Sequence, residues 1–142
     1  MAIQQISIFL ENKEGKLAET VKTISAANVN IRALCVADTK DFGILRLITS
    51  DNDAAKAALR ETGVVIATDV IAAKMDDTAG ALSGILQILA EAKINIEYMY
   101  AFLGGKKDEA YMIFKVDDPK TASSVLGQKG IPTVSQEEIS NI

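Results

Sequence analysis

Two short segments of the sequence share a glycine and a leucine at matching positions, with Asn or Asp three positions before the glycine. The first reads Asn-Lys-Glu-Gly-Lys-Leu over residues 12–17, and the second reads Asp-Thr-Ala-Gly-Ala-Leu over residues 77–82. If each glycine opens a helix, unpaired backbone N–H groups and the positive end of the helix dipole could hold a carboxylate there. The side-chain oxygen of Asn12 or Asp77 could accept a hydrogen bond from an ammonium group. Together these groups suit a free α-amino acid.

A purely structural role would explain the same residues without a ligand. Asn12 and Asp77 could cap the helices that follow them, and the two glycines could ease the turn into each helix. The local sequence leaves both alternatives open.

The two segments belong to a longer internal repeat. Gly15-Lys16-Leu17 returns as Gly80-Ala81-Leu82, and Asn30-Ile31 returns as Asn95-Ile96 at the same spacing. Two separated landmarks that match without a gap indicate a duplicated unit. Function is therefore to be sought in what both copies retain.

The rest of the chain follows the same duplication after one short insertion. Residues 41–59 align with residues 108–126 once the extra residues of Gly104-Gly105-Lys106-Lys107 are allowed, and we interpret that glycine-rich stretch as a solvated turn. We therefore predict two domains, residues 1–68 and residues 69–142.

Hydrophobic periodicity predicts the order strand, helix, strand, strand, helix, strand in each unit. In the first unit the strands are expected near residues 6–10, 31–36, 43–49 and 64–66, with a turn at residues 38–41. The first helix should bury Leu17, Val21 and Ile24. The second, residues 54–59, follows the capping oxygens of Ser50-Asp51-Asn52-Asp53 and should be closed by a left-handed Gly63.

The second unit repeats this order. Strands are predicted at residues 70–75, 94–103, 110–116 and 131–134, and helices at residues 82–92 and 120–126. The predicted fold class is α+β, with two ferredoxin-like βαββαβ units, each a four-stranded antiparallel sheet with two helices on one face. The tail from Ser135 could form a short helix or continue the final strand.

Two features inside the predicted strands have alternative interpretations. Tyr98, Tyr100 and Phe102 alternate and so share one face, either in a core beneath the helices or on a surface for a partner. Cys35 is expected to be a small buried residue rather than a nucleophile.

The composition excludes several kinds of chemistry. The sequence has no histidine and one cysteine, which removes Cys/His zinc patterns and histidine-based hydrolase triads. No spacing of Asp, Glu, Lys or Tyr selects a catalytic pair. We expect no catalytic residue, no metal site and no cofactor.

Charge and hydropathy limit the partners. A formal net charge of -4 argues against nucleic acid, whose binding requires clustered Lys and Arg. The sequence contains neither an apolar run long enough to span a membrane nor an amino-terminal signal pattern, so we expect no membrane association and a cytoplasmic location.

The order of these motifs resembles the ACT domain, a small-molecule-binding regulatory module, in both halves of the chain. The usual family motif, Asp-x-Pro-Gly-x-Leu, falls on residues 12–17 and 77–82, and the Asn-Ile pairs open the following strands. The proline is missing from both copies, and the aspartate is missing from the first.

The resemblance implies where a ligand would bind. In this family ligands, mostly amino acids, lie where the glycine loop of one domain meets the second strand of a neighbouring domain. The implied loop residues are Glu11, Asn12, Gly15, Lys16, Leu17, Met75, Asp76, Asp77, Ala79, Gly80, Ala81 and Leu82. The implied opposing wall is Asn30, Ile31, Asn95 and Ile96, although an asparagine after a helix can also serve only the turn.

Two functions from different classes follow. The first is a stand-alone tandem ACT protein, not an enzyme, that binds a free L-amino acid at a domain junction and acts as a homodimer, since small units and open sheet edges favour pairing. The second is a regulatory subunit acting in trans on an enzyme of amino-acid biosynthesis, similar to the small subunit of acetolactate synthase. A small ferredoxin-like enzyme is a third possibility, but no catalytic residues support it. The sequence does not identify the amino acid, the number of occupied sites or the pathway.

Overall fold

The computed structural model describes residues 2–38 and 41–142, without the side chain of Asp38. The elements in chain order are β1 (Ile3–Glu11), α1 (Lys16–Ala26), β2 (Ile31–Asp38), β3 (Phe42–Thr49), α2 (Asn52–Leu59), β4 (Val65–Asp76), α3 (Ala81–Glu91), β5 (Ile96–Ala101), β6 (Glu109–Val116), α4 (Pro119–Gln128) and α5 (Gln136–Asn141). The turn predicted at residues 38–41 includes Thr39 and Lys40, which lie outside the described residues. The chain divides into two compact units, Gln4–Thr68 and Asp69–Ile142, the second also including the amino-terminal residues through Ile3.

Strand β4 belongs to both units. The sequence predicted two separate strands here, but one strand of 12 residues runs without a break. Its start is the last strand of the first unit and its remainder is the first strand of the second. The strand order is β2-β3-β1-β4 in the first unit and β4-β6-β5 in the second. The predicted ferredoxin-like fold class is confirmed.

The fourth strand of the second unit is shorter than predicted. The expected strand at residues 131–134 is reduced to an isolated bridge between Ala73 and Thr133. The Lys74 N–H donates to the Pro132 carbonyl at 3.0 Å, and the Val134 N–H donates to the Ala72 carbonyl at 2.9 Å. Pro132 has no N–H to extend the ladder, and Ser135 already caps α5, so a full strand cannot form.

Each unit has a core between its helices and one face of its sheet. The first core contains Ile6, Ile8, Leu10, Ile24, Val29, Leu45, Leu47, Ala55 and Leu59, and the second contains Ile71, Ala73, Ile85, Leu89, Ile94, Phe114, Val116, Ala122 and Leu126. In α1 the fully buried residues are Thr20 and Ile24, whereas Leu17 is 41% exposed. The expectation that Leu17 is buried is wrong because it lies in the first turn, at the helix end.

The predicted start of α2 is confirmed, whereas its predicted end is wrong. Of the capping residues offered at 50–53, Asp51 is the N-cap, and its carboxylate accepts from the Ala54 N–H at 2.9 Å. The helix ends at Leu59, and Gly63 does not adopt a positive φ. A Cβ at Gly63 would lie 3.2 Å from the Phe9 carbonyl oxygen, so this glycine permits a close backbone approach instead.

The aromatic residues of β5 lie on the face opposite the helices. Tyr100 pairs with Ile113, whose neighbours Met112 and Phe114 pack in the helix-covered core. A bulge between Ile96 and Tyr98 shifts the alternation, so Met99 rather than Tyr98 faces that core. Of the two placements considered for the three rings, the one beneath the helices is therefore wrong.

Three smaller expectations have clear outcomes. Tyr100 and Phe102 are buried within the chain, so they do not form an exposed partner surface. Cys35 is half-buried rather than fully buried. The tail forms the short helix α5, which begins with a capping box between Ser135 and Glu138 and buries Ile139.

Candidate functional site

Both glycine loops have the same backbone geometry. Gly15 and Gly80 are the N-cap residues of α1 and α3, with φ of 82° and 89°. Residues that carry a Cβ rarely adopt this left-handed backbone conformation, which explains why glycine occupies both positions. A Cβ at either position would meet no protein atom within 4 Å. Open space therefore lies beside both loops.

Helices α1 and α3 have no side-chain caps. Gly15 and Gly80, rather than Asn12 and Asp77, are the N-caps of these helices, so the capping role considered for Asn12 and Asp77 is wrong. By contrast, α2, α4 and α5 are capped by Asp51, Asp118 and Ser135. At the two glycine loops the N-cap residue thus supplies no side-chain acceptor.

Several helix N–H groups remain available at these loops. The Lys16 and Ala81 N–H groups donate to carbonyls within their own loops, each at 3.2 Å. For the next two N–H groups of each helix, the described part of the chain provides no acceptor; these belong to Leu17, Ala18, Leu82 and Ser83. Unpaired donors at the positive end of a helix dipole favour an anionic group such as a carboxylate.

A cavity lies beside the second glycine loop. Its volume is about 330 Å³, and it is lined by Lys74, Met75, Asp76, Ala81, Ile85, Gly130, Ile131 and Pro132. Met75, Asp76 and Ala81 were predicted site residues, whereas the other five were missed. No motif in the sequence marked these five as ligand-contacting residues.

The first glycine loop has a different environment. A cavity of about 420 Å³ in the first unit is lined by Lys56, Arg60, Gly63, Val65 and Ala67, and none of these is a predicted loop residue. Glu11, Asn12 and Leu17 are exposed, and Lys16 forms a long ion pair with Glu19 at 3.8 Å.

The other loop residues of the second unit are accessible. Asp76, Asp77, Ala79 and Gly80 are exposed, while Leu82 packs partly against the core. The Asp77 N–H donates to the Asp108 carbonyl at 3.0 Å, which fixes the loop to the turn before β6. This hydrogen bond therefore holds the backbone that carries the Asp77 carboxylate in place.

The two asparagine residues fasten the starts of β2 and β5. The Asn30 N–H donates to the Ser50 hydroxyl at 2.9 Å, and the Asn95 N–H donates to the Asp117 carboxylate at 3.1 Å. Their carbonyls accept from the backbone N–H groups of the same partners. The repeat therefore retains this backbone link in both units, and both asparagine residues are exposed.

Within one unit, the Asn-Ile pair does not approach the glycine loop. Along β6, Asp76 pairs with Glu109 and Ile96 pairs with Val116. These positions are separated by about 20 Å at the usual rise of a strand. Ile31 likewise pairs with Thr49 at the far end of β3 from Phe42. An opposing wall formed by these residues would require a different ACT domain, and this part of the site stays a prediction.

A charged network lies on the face of the second sheet opposite its helices. The Lys74 ammonium is 2.7 Å from the Glu109 carboxylate, and the Tyr111 hydroxyl donates to Glu109 at 3.3 Å. The hydrogen bond with Lys74 holds the pKa of Glu109 below its ordinary value, and the same bond raises the pKa of Lys74. Burial raises the pKa of Tyr111.

This network predicts a loss of stability in acid. Because the pKa of Glu109 is lower in the folded state, its contribution is complete above the ordinary value of 4.5 and is lost as the pH falls through the folded value. We expect wild type to be more stable than Glu109→Gln at neutral pH, with a difference that shrinks toward zero in acid. Urea unfolding of both proteins across this pH range measures the difference, and a difference that stays constant into acid would contradict the assignment.

Other kinds of site receive no support from the described residues. Among residues 2–38 and 41–142, no group of three or more Asp, Glu, His or Cys residues is arranged to hold a metal ion. In the same part of the chain, no helix is long and apolar enough to cross a membrane.

Comparisons with known proteins agree with this geometry. A family model for the ACT domain pair matches residues 1–142. Protein BT0572 of Bacteroides thetaiotaomicron has a crystal structure with a TM-score of 0.91 and is 34% identical, over 100% of this chain and 98% of its own. A comparison with curated proteins gave no match.

More distant solved structures share the fold. The ligand-free regulatory subunit of aspartate kinase from Thermus thermophilus has a TM-score of 0.66 at 14% identity, over 88% of this chain and 90% of its own. E. coli aspartokinase III in complex with lysine and aspartate has a TM-score of 0.52 at 14% identity, over 90% of this chain and 31% of its own. From the match over its whole length, the chain belongs to the ACT domain pair family, a regulatory ligand-binding fold.

Proposed function

We propose that this chain is a regulatory protein that binds a free L-amino acid at the glycine loop of its second unit. One observation carries the proposal: the uncapped start of α3 lies beside a cavity of about 330 Å³. This volume is at the lower end of the range for small-molecule sites and suits a ligand as small as an amino acid.

The ligand's three parts find matching chemistry at this loop. The carboxylate accepts hydrogen bonds from the backbone N–H groups of Leu82 and Ser83, which lack acceptors among the described residues. The ammonium group faces the exposed Asp76 and Asp77 carboxylates. An apolar side chain can enter the cavity, whose lining includes Ile85.

The second loop suits this role better than the first. It retains the aspartate of the family motif at residue 77, where the first copy has Asn12. Residues of the second glycine loop line the cavity of about 330 Å³. The lining of the cavity in the first unit contains no residue of the first glycine loop. Among the solved relatives, aspartokinase III is in complex with lysine and aspartate, which supports amino acids as the ligand class.

Thermal-shift and calorimetric screening tests the proposal. The full chain is heated with each of the common L-amino acids at millimolar concentration, and the D-enantiomers serve as controls. We expect one or a few L-amino acids to stabilise the protein, by about 2.7 kcal/mol at a concentration one hundred times Kd. If none of them changes the melting temperature, the proposal fails.

A second candidate function is regulation of an enzyme in trans. Regulatory subunits of aspartate kinase share this fold over most of their own length, which is the observation that favours it. Affinity purification of the tagged chain separates the two functions. A stoichiometric catalytic partner whose activity changes on binding would favour the subunit, whereas a homodimer without a partner would favour the stand-alone sensor.

A further inference from the structure

A larger cavity lies elsewhere in the second unit, beside the charged network of Lys74, Glu109 and Tyr111. Its volume is about 660 Å³, and it is lined by Lys74, Gly105, Lys106, Tyr111, Val134, Glu137, Glu138, Asn141 and Ile142. Only Lys74 is shared with the lining of the cavity beside the glycine loop. We call the larger one the α5 cavity. Three features that distinguish the second unit from the first meet there.

The first feature is a change of side chains on the sheet. Phe9 pairs with Ile44 in the first unit, and Lys74 pairs with Tyr111 at the corresponding place in the second. Phe42 likewise corresponds to Glu109. Phe42 pairs with the last residue of β1, and Glu109 pairs with the last residue of β4. An apolar surface in one repeat is thus replaced by a hydrogen-bonded polar network in the other.

The second feature is the inserted loop. The residues Gly104-Gly105-Lys106-Lys107 extend the turn between β5 and β6. A Cβ at Gly105 would lie 3.4 Å from the Tyr111 ring, and Gly105 also has a φ of 122°. The loop backbone therefore lies against that ring, and Lys106 reaches the cavity lining.

The third feature is helix α5, which follows the repeat and has no counterpart in the first unit. Its capping box joins Ser135 and Glu138, and Ile139 is fully buried. A helix this short depends on such anchors for its position. They hold Glu137 and Asn141 at the cavity wall.

Not all charged side chains of the lining form ion pairs. Lys74 is bound to Glu109, and the Glu138 carboxylate accepts from the Ser135 N–H at 2.7 Å. Lys106 and Glu137 form no ion pair among the described residues, although the charge of Lys106 helps to lower the pKa of Glu109. The inserted loop thus presents a cation and α5 presents an anion, neither of them in an ion pair. A molecule with one charge of each sign matches this arrangement.

We propose that the α5 cavity is a second ligand site, separate from the glycine loop, for a small zwitterion such as an amino acid. The carboxylate of the ligand meets Lys106, its ammonium group meets Glu137, and Val134 contacts its apolar part. The volume lies within the range of small-molecule sites. The proposal does not depend on binding at the glycine loop.

Nuclear magnetic resonance titration of the full chain tests this site. Each common L-amino acid is added at millimolar concentration while the Gly105 amide, the Tyr111 ring and the Val134 methyl groups are followed. We expect at least one amino acid to shift these signals in a saturable manner. The amides of Leu82 and Ser83 report the glycine loop independently, so failure at one site is distinguishable from failure at the other.

Variants identify the groups that bind. The double variant Lys106→Gln with Glu137→Gln should weaken binding at the α5 cavity about tenfold or more, because each change removes a charged hydrogen-bonding group. Lys107→Gln, next to the cavity-lining lysine, should leave this binding unchanged. Absence of any saturable shift at Gly105, Tyr111 and Val134, or equal affinity in the double variant, would overturn the proposal.

Discussion

Gly80→Val, made in the Lys106→Gln and Glu137→Gln background that weakens binding at the α5 cavity, is expected to abolish stabilisation by the amino-acid ligand. Gly80 has a φ of 89°, and the space beside it is free of protein atoms. A valine there would fill the space through which a carboxylate reaches the first N–H groups of α3. The same substitution costs stability of about 1–3 kcal/mol, because a β-branched residue is strained in this conformation. The measurement is the ligand-induced shift in melting temperature of the variant, compared with the same background that retains Gly80.

The repeat supplies a matched control for this experiment. Gly15 has a φ of 82° and equally open surroundings, so Gly15→Val in the same background should carry a similar strain cost. If the second loop is the binding site, the ligand-induced shift survives in Gly15→Val and disappears in Gly80→Val. The opposite result would place the ligand at the first loop, and an unchanged shift in both variants would exclude both loops.

The order of elements was predictable because its signals are local. Alternating residues such as Ile6 and Ile8 indicate a strand, and both lie in β1. The continuity of β4 was not predictable from such signals. No residue between Val65 and Asp76 indicates whether the strand breaks or continues. The strand continues because it pairs with β1 and β6, which are distant in sequence.

The face of a strand was harder to predict than its existence. A bulge between Ile96 and Tyr98 adds one residue to β5, which reverses the faces of all following side chains. Of the two placements considered for the aromatic rings, the one beneath the helices therefore failed. The first unit has an irregularity between Ile31 and Ala33, so the bulge belongs to the repeat itself.

The glycine loops were predictable because two copies of one sequence could be compared. That comparison selected Gly15 and Gly80, and both open a helix in the left-handed conformation. The cavity wall was not predictable in the same way. Ile131 and Pro132 are remote from the loop in sequence, and they reach it only through the left-handed Gly130, which follows the end of α4 at Gln128. Such neighbours depend on tertiary packing and have no local signal.

The departures between the two copies are as informative as the matches. Both units keep the backbone link between the start of their second strand and the end of their third, because the sheet requires it. Only the second unit carries the network of Lys74, Glu109 and Tyr111, together with the inserted loop and α5. A fold constraint explains the shared link. The first unit reaches the same fold without the added features, so the fold does not require them. They are therefore the features in which a specific function of the second unit is to be sought.

Phe114→Ala is expected to have the largest effect on stability. Phe114 is fully buried on β6, within the core beneath α3 and α4. Replacing a buried phenylalanine with alanine typically costs about 3–5 kcal/mol, because apolar contacts are lost and a cavity remains. Total stability is usually about 5–15 kcal/mol, so the second unit should be severely destabilised. Urea unfolding followed by circular dichroism measures the loss.

The first unit suggests the control for Phe114. The repeat places Leu47 at the corresponding position of β3, where it is also fully buried. Phe114→Leu installs the residue that the other copy uses, and it should cost markedly less than Phe114→Ala because most of the apolar volume is kept. If both variants lost the same free energy of unfolding, the tight packing assigned to the ring would be wrong. A loss below about 1 kcal/mol in Phe114→Ala would instead mean that the core collapses around the missing side chain.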